Sequence, residues 1–447
     1  VKMRIVRRPE DAKATLLRRV PFELAEVSPL VRQRIKEVFG EELSPDEAVA
    51  RIIQEVQTKG DSALLDYSRT IDGVELTRLE VSKEEITEAY KEVAAELVQA
   101  LALAGGRVHS FHLAQRRHSW VDFANGLGLI VRPLERVGIY APGGMACYPS
   151  TVLMTAIPAK VAGVGEVILT TPPGRDGFIP PPTLVAADMA KVDRIFKVGG
   201  AQAIAALALG TESVPKVDKI CGPGNIFVTL AKKKVYGMVD IDGLHGPTET
   251  LILADESAEA EFLAADLLAQ AEHDEAAAAI LITTSSELAK KVDKEIERQL
   301  AQLERRDIAS ESLKQKGGIV VVQEVEQAIE LVNYYAPEHL SLIVRNPWSY
   351  LGQIHHAGGI FVGMDSPEVL GDYIAGPSHV MPTGGSARFF SVLGLADFLK
   401  ASSLVALDSE ALKTLGPAAA AIARAEGLTA HARAVELRLK LAEGKKD

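Results

Sequence analysis

Apolar residues recur three and four apart through SPDEAVARIIQEVQTKGDSALLDYSRTI, the spacing of a helix with one buried face. The run opens on Ser44 with Glu47 three residues later, a pairing that lets each side chain cap the other's backbone N–H. SKEEITEAYKEVAAELVQALALAGG repeats the logic from Ser82 and Glu85, and Gly105-Gly106 predicts its stop. The first ~120 residues therefore read as a mostly helical layer rather than a catalytic unit.

From about Val137 the period changes. GEVILTT, RIFKVGG and KVDKIC predict strands, each followed by a turn or loop and a helix: LVAADMAK, AQAIAALALG and IFVTLAKKKVYG. A second series runs from TETLILADE through AILITT, GGIVVV and AGGIFVG, with helices between. Alternation of this kind predicts βαβ units, and two such series predict two parallel sheets of related build. The last ~50 residues read as almost entirely helical, with a break at Gly416-Pro417.

Composition narrows the class. A chain of 447 residues, 47% hydrophobic and 24% charged, buries a large core and is too long for one compact unit. Its formal charge of −11 argues against general nucleic-acid or anionic-membrane binding, both of which need clustered Lys and Arg. The basic start lacks the apolar segment of a signal peptide, and no apolar run reaches the ~18 residues of a spanning helix. Cys147 and Cys221 alone make no disulfide framework, so the expected compartment is the cytoplasm.

Candidate chemistry is scattered. LLAQAEHDE holds Gln270 and His273 three apart at a helix end, where they read either as a solvated terminus or as two arms of a metal site. Pro337-Glu338-His339 puts a carboxylate beside an imidazole ahead of an apolar strand, a pairing suited to proton transfer. Asp372 and His379 fall in a segment too rich in Gly and Pro for a regular element, and His431 lies on the C-terminal helix. Three glycine turns, APGG (141–144), VGGAQA (198–203) and CGPGN (221–225), open helices where free N–H groups can receive a pyrophosphate. No G-x-G-x-x-G fingerprint is present. His245, in GLHGPTET, is ambiguous.

Taken together, RVGIYAPGG, GGAQAIAALA, GPGNIFVT, GPTE, LLAQAEHD, APEHL, GDYIAGPSHVMPTGGSARF and EGLTAHARAV stand in the order expected of histidinol dehydrogenases. The chain resembles that family from its N-terminal helices almost to its C-terminus. The resemblance implies two incomplete Rossmann-like domains and a homodimer held by a C-terminal helical tail. It divides the chain into an arm (1–34), a main α/β domain (35–139 with 249–393), an NAD-contacting domain (140–248) and a dimerisation segment (394–447).

The implied reaction is oxidation of L-histidinol through L-histidinal to L-histidine, the end of histidine biosynthesis, with two NAD⁺ and one zinc per subunit. The implied zinc ligands are Gln270, His273, Asp372 and His431, the last from the other subunit. His339 carries over as the base that takes the alcohol proton, and Glu338 as the group that activates water. Thr248, Glu368, His379 and Glu426 match substrate-contacting positions, as do the zinc ligands and His339; Tyr140, Gln202 and Asn225 match NAD contacts. Thr248 stands where the family has serine, which keeps the hydroxyl. Competing readings are an NAD-dependent dehydrogenase of another small alcohol such as a sulfonated diol, a zinc hydrolase, and a catalytically silent metal-binding or assembly protein.

Overall fold

Ser44 and Ser82 each cap a helix, Pro45–Lys59 and Lys83–Glu92, with the reciprocal Glu47 and Glu85 bonds in place. The computed structural model describes residues 2–19, 29–143 and 147–443. Part of the N-terminal arm (20–28), Gly144 of the first glycine turn and the final tail residues 444–447 lie outside the described residues. Contacts divide the chain into one unit of residues 1–115 with 134–398 and a second of 116–133 with 399–447.

The first unit contains both predicted parallel sheets. One has five strands in the order Arg194–Lys197, Glu166–Thr171, Arg136–Tyr140, Lys219–Cys221, Asp240–Ile241. The other has six: Ile5–Val6, Gly318–Val321, Ala278–Thr283, Glu249–Ala254, His339–Ile343, Gly359–Val362. The inner strands of the six-stranded sheet are apolar on both faces because helices cover both. Ile252, Leu281, Ile319 and Ile343 pack into one core, while Leu251, Ile280, Val320 and Leu340 pack into the other, the two-residue alternation of a strand.

One expected stop is absent. Gly105-Gly106 does not end its helix, which runs Ala95–Leu113 after a break at Val93-Ala94. The missing side chain at Gly105 instead admits the neighbouring helix Pro149–Ala162, since a Cβ there would lie 3.4 Å from Ile157 Cδ1.

The second unit corrects the reading of an almost wholly helical tail. Leu399–Val405 is a strand, antiparallel to Leu127–Pro133, which also pairs with Trp120–Asp122. All of Leu399–Val405 finds a ladder partner, which outweighs a weak local preference in LKASSLV. Helices Ser409–Ala425 and Thr429–Glu443 follow. Gly416-Pro417 does not break the first, because Gly416 is the contact point for the second, 3.1 Å from Leu439 and Val435 if given a Cβ. The reversal comes at Gly427, whose φ of 76° suits glycine.

Candidate functional site

The parallel strands of the six-stranded sheet all start at one rim, and Thr248, Glu249, Thr250, Glu338 and His339 gather there. The helix Val325–Tyr335 ends at Ala336, a non-glycine residue held at φ 52°. Such a conformation costs about 1 kcal/mol or more and needs outside support. Arg19 supplies it: its guanidinium lies 3.6 Å over the Tyr335 ring, donates to the Tyr335 and Ala336 carbonyls, and pairs with Glu249. The chain then enters the strand through Pro337 and Glu338.

His339 is buried, with Nδ1 3.2 Å from the Glu249 carbonyl and Nε2 3.1 Å from Asp372 Oδ1. Glu338 Oε2 stands 3.6 Å from Nδ1 and accepts from Thr248 Oγ1 at 2.7 Å and from Glu249 N at 2.9 Å. Thr248 in turn accepts from Gln270 Nε2 at 2.5 Å. One hydroxyl thus joins the glutamine at the helix end to the glutamate of the turn, a role a serine fills equally well. Glu368 accepts from Thr250 at 2.6 Å. His379 contacts the Asp372 carbonyl through Nδ1 at 2.7 Å and Thr151 through Nε2 at 3.1 Å.

Two local expectations change here. Asp372 does not lie in an extended loop but in the last turn of a short helix, Glu368–Tyr373, which sends Glu368 and Asp372 to the same side one turn apart. His273 falls just beyond the helix Ala260–Ala271, exposed, whereas Gln270 is buried in its last turn.

Burial alone would push the His339 imidazole down, but the Glu338 charge and the Asp372 hydrogen bond overcome it and hold it well above its ordinary value. Burial acts against the Asp372 carboxylate too, yet His339, His379 and His273 keep it lowered. Glu368 lacks a comparable partner and burial pushes it up to about 7.

The five-stranded sheet presents its glycine turns at the opposite, carboxyl ends of its strands, the usual ligand edge of such sheets. Gly222 takes φ 118°, and a Cβ there would sit 2.0 Å from the Tyr140 carbonyl. The Tyr140 hydroxyl accepts from Gly200 N at 3.2 Å. Gln202 is 1% exposed, and neither atom of its amide has a protein partner, an arrangement that wants a ligand. Asn225 caps Ile226–Val235 through Oδ1, which leaves its amide nitrogen for another acceptor.

A family model of histidinol dehydrogenases matches residues 40–439. The histidinol dehydrogenase of Dehalococcoides mccartyi strain CBDB1 is 55% identical over 400 residues, 89% of this chain and 92% of its own. That of Deinococcus radiodurans is 50% identical over 434 residues, 96% and 98% of the two chains. The crystal structure of histidinol dehydrogenase from Elizabethkingia anophelis superposes with a TM-score of 0.90 at 36% identity, covering 99% of both chains. This chain belongs to the histidinol dehydrogenase family.

Gln270, His273 and Asp372 carry side chains of the kinds a zinc-type ion takes. Gln270 spends its amide nitrogen on Thr248 and has its Oε1 to offer, while His273 and Asp372 stand near enough for the imidazole to act on the carboxylate. Among the described residues no three His, Cys, Asp or Glu side chains form a group able to hold a metal. Glu426 and His431 belong to the second unit, where both are exposed. Three residues of the rim escaped the sequence reading: Arg19, Glu249 and Thr250. Only Glu249 had a signal, as the last letter of GPTE. Cys221 is buried and its thiol is pushed well up, foremost by burial, which removes it as a nucleophile.

Proposed function

We propose that this chain oxidises L-histidinol through L-histidinal to L-histidine, using two NAD⁺ in succession and one zinc per subunit, in the cytoplasm and as a homodimer with shared sites. The observation that carries this reading is the junction at Glu338 and His339, where two proton-handling groups meet at one strand end with separate hydrogen-bond systems. Alcohol oxidation and aldehyde hydration each release a proton at the same carbon, so two such groups are what the reaction needs.

In this reading Nδ1 of His339 donates to the Glu249 carbonyl, and Nε2, which faces Asp372 in the free chain, takes the alcohol proton once Asp372 turns away to the metal it would hold. Glu338, oriented by Thr248 and the Glu249 amide, takes the proton from the water that adds to the aldehyde. Gln270, His273 and Asp372, with His431 of a second copy, would hold zinc, which grips and orients an imidazole-bearing amine. Glu368 and His379, with Thr248 and a second copy's Glu426, line the substrate place. Tyr140, Gln202 and Asn225 would hold NAD⁺, the hydride acceptor. Two cores back the six-stranded sheet on its faces and fix the rim. The four sequence segments, arm, main domain, cofactor domain and dimerisation tail, divide the same work.

The dimer is supported by the second unit's apolar exposure, with Phe123 at 91% and Trp120, Leu415, Ile422 and Leu437 all exposed. Purified protein with L-histidinol and NAD⁺ is expected to yield two NADH per substrate, to stop with a strong chelator and to resume with zinc. NADH from a sulfonated diol and none from histidinol would sink the proposal.

A further inference from the structure

A single hydrogen bond leaves an imidazole free to swing. Its outer torsion has no sharp staggered wells, so the plane of a histidine ring is set by what surrounds it. In the free chain His339 has two polar anchors, the Glu249 carbonyl at Nδ1 and Asp372 at Nε2. Once Nε2 is free of Asp372 only the carbonyl is left, since Glu338 Oε2, 3.6 Å from Nδ1, stands beyond hydrogen-bond reach. One bond fixes a direction and not a plane. The alcohol proton must still be met along the Nε2 lone pair, which lies in that plane.

What stays beside the ring is Phe361. The two rings stack with centroids 5.8 Å apart and planes 23° from parallel, inside the usual range for offset aromatic pairs. Strand register brings them together. His339 lies opposite Gly359 and Ser341 opposite Phe361, so Phe361 is the diagonal neighbour of His339 on the same face, a separation that aromatic side chains span. The phenyl ring is itself held at both edges. A Cβ on Gly359 would fall 3.3 Å from Cε2, and one on Gly371, in the helix Glu368–Tyr373, would fall 3.0 Å from Cζ and closer still to Cε1. Neither glycine has a positive φ, so the backbone does not call for them. The room they leave is room for this one ring.

We propose that Phe361 is a positioning residue for His339: the phenyl ring stacked on the imidazole keeps its plane, and so the aim of Nε2, when Asp372 no longer holds that nitrogen. This rests on His339 acting as the base proposed above. Phe361 itself touches neither substrate nor cofactor and works only through the imidazole.

The tests use the whole chain. With zinc supplied, Phe361→Leu, which keeps an apolar side chain but no flat face, is expected to lower turnover of L-histidinol on the order of tenfold or more. Oxidation of supplied L-histidinal, in which Glu338 handles the proton, should stay at the parent rate, as should zinc content. In a His339→Asn background the same change should cost nothing further, because the group it acts through is gone. Phe361→Met should behave alike and serves if Phe361→Leu does not fold. Without metal, crystals of Asp372→Ala should show the imidazole where it now stands, and Asp372→Ala with Phe361→Leu should show it turned or spread over several orientations. An undiminished histidinol rate, equal slowing of both oxidations, an additive loss on His339→Asn, or an unmoved ring overturns the assignment. Should the parent chain leave histidinol unoxidised, or His339→Asn oxidise it at the parent rate, the reading of His339 fails first and this inference falls with it.

Discussion

Glu368 is 1% exposed, and burial outweighs both the His339 charge and the Thr250 hydrogen bond and lifts it from 4.5 to about 7. A carboxyl whose folded value is raised favours the folded state while protonated. Its stabilising share is whole below 4.5 and is lost as pH climbs through about 7. Glu368→Gln copies the protonated form. Its melting temperature should match the parent's below about pH 4.5 and exceed it by a gap that widens up to about pH 7 and then levels, read by calorimetry at constant salt; a gap independent of pH would refute the assignment. The same residue shows what a sequence conveys at this scale. Glu338 and His339 were legible because their chemistry is adjacent along the chain. Arg19 was not, because its partner Glu249 lies 230 residues away, and such distance leaves no spacing to read.

Among elements, the turn from Cys221 to Asn225 depends on a pair buried beneath it. Lys232 donates to the Gly222 carbonyl and pairs with Asp242, whose other oxygen accepts from Gly222 N at 2.6 Å. Asp242 stays lowered despite burial, foremost because of Lys232. Lys232→Met leaves that carboxylate buried and alone, at a cost of about 3–5 kcal/mol. Urea unfolding should show the loss, and Lys232→Met with Asp242→Asn should recover much of it, because asparagine still accepts from Gly222. Equal stability of the single variant and the parent would mean the pair is not what anchors the turn. Strands and helices near this turn were legible from their periods. The failures at Gly105 and Gly416 share a cause: both glycines serve contact between helices, and local punctuation does not distinguish contact from termination. Leu399–Val405 was missed because its ladder partner is remote in sequence.

For the whole molecule, a site completed by a second copy has a sharp signature. Chains carrying His431→Asn and chains carrying His339→Asn should each be inactive alone. After unfolding and refolding together, roughly a quarter of the parent turnover should return, since half the dimers are mixed and each has one intact site. No recovery would place both residues' work in one chain. Family membership was legible at this scale because the motifs are long and ordered, whereas the second unit's strand Leu399–Val405 was hidden because its partner, Leu127–Pro133, lies hundreds of residues away.

The six-stranded sheet puts its chemistry at the strand starts and leaves the strand ends, after Thr283, Val321 and Ile343, without any part in it. The two rims therefore answer to different selection. Loops on the far rim are free to lengthen, shorten or drift as lineages diverge, while a single insertion between Ala336 and His339 would move both proton-handling groups off their partners at once.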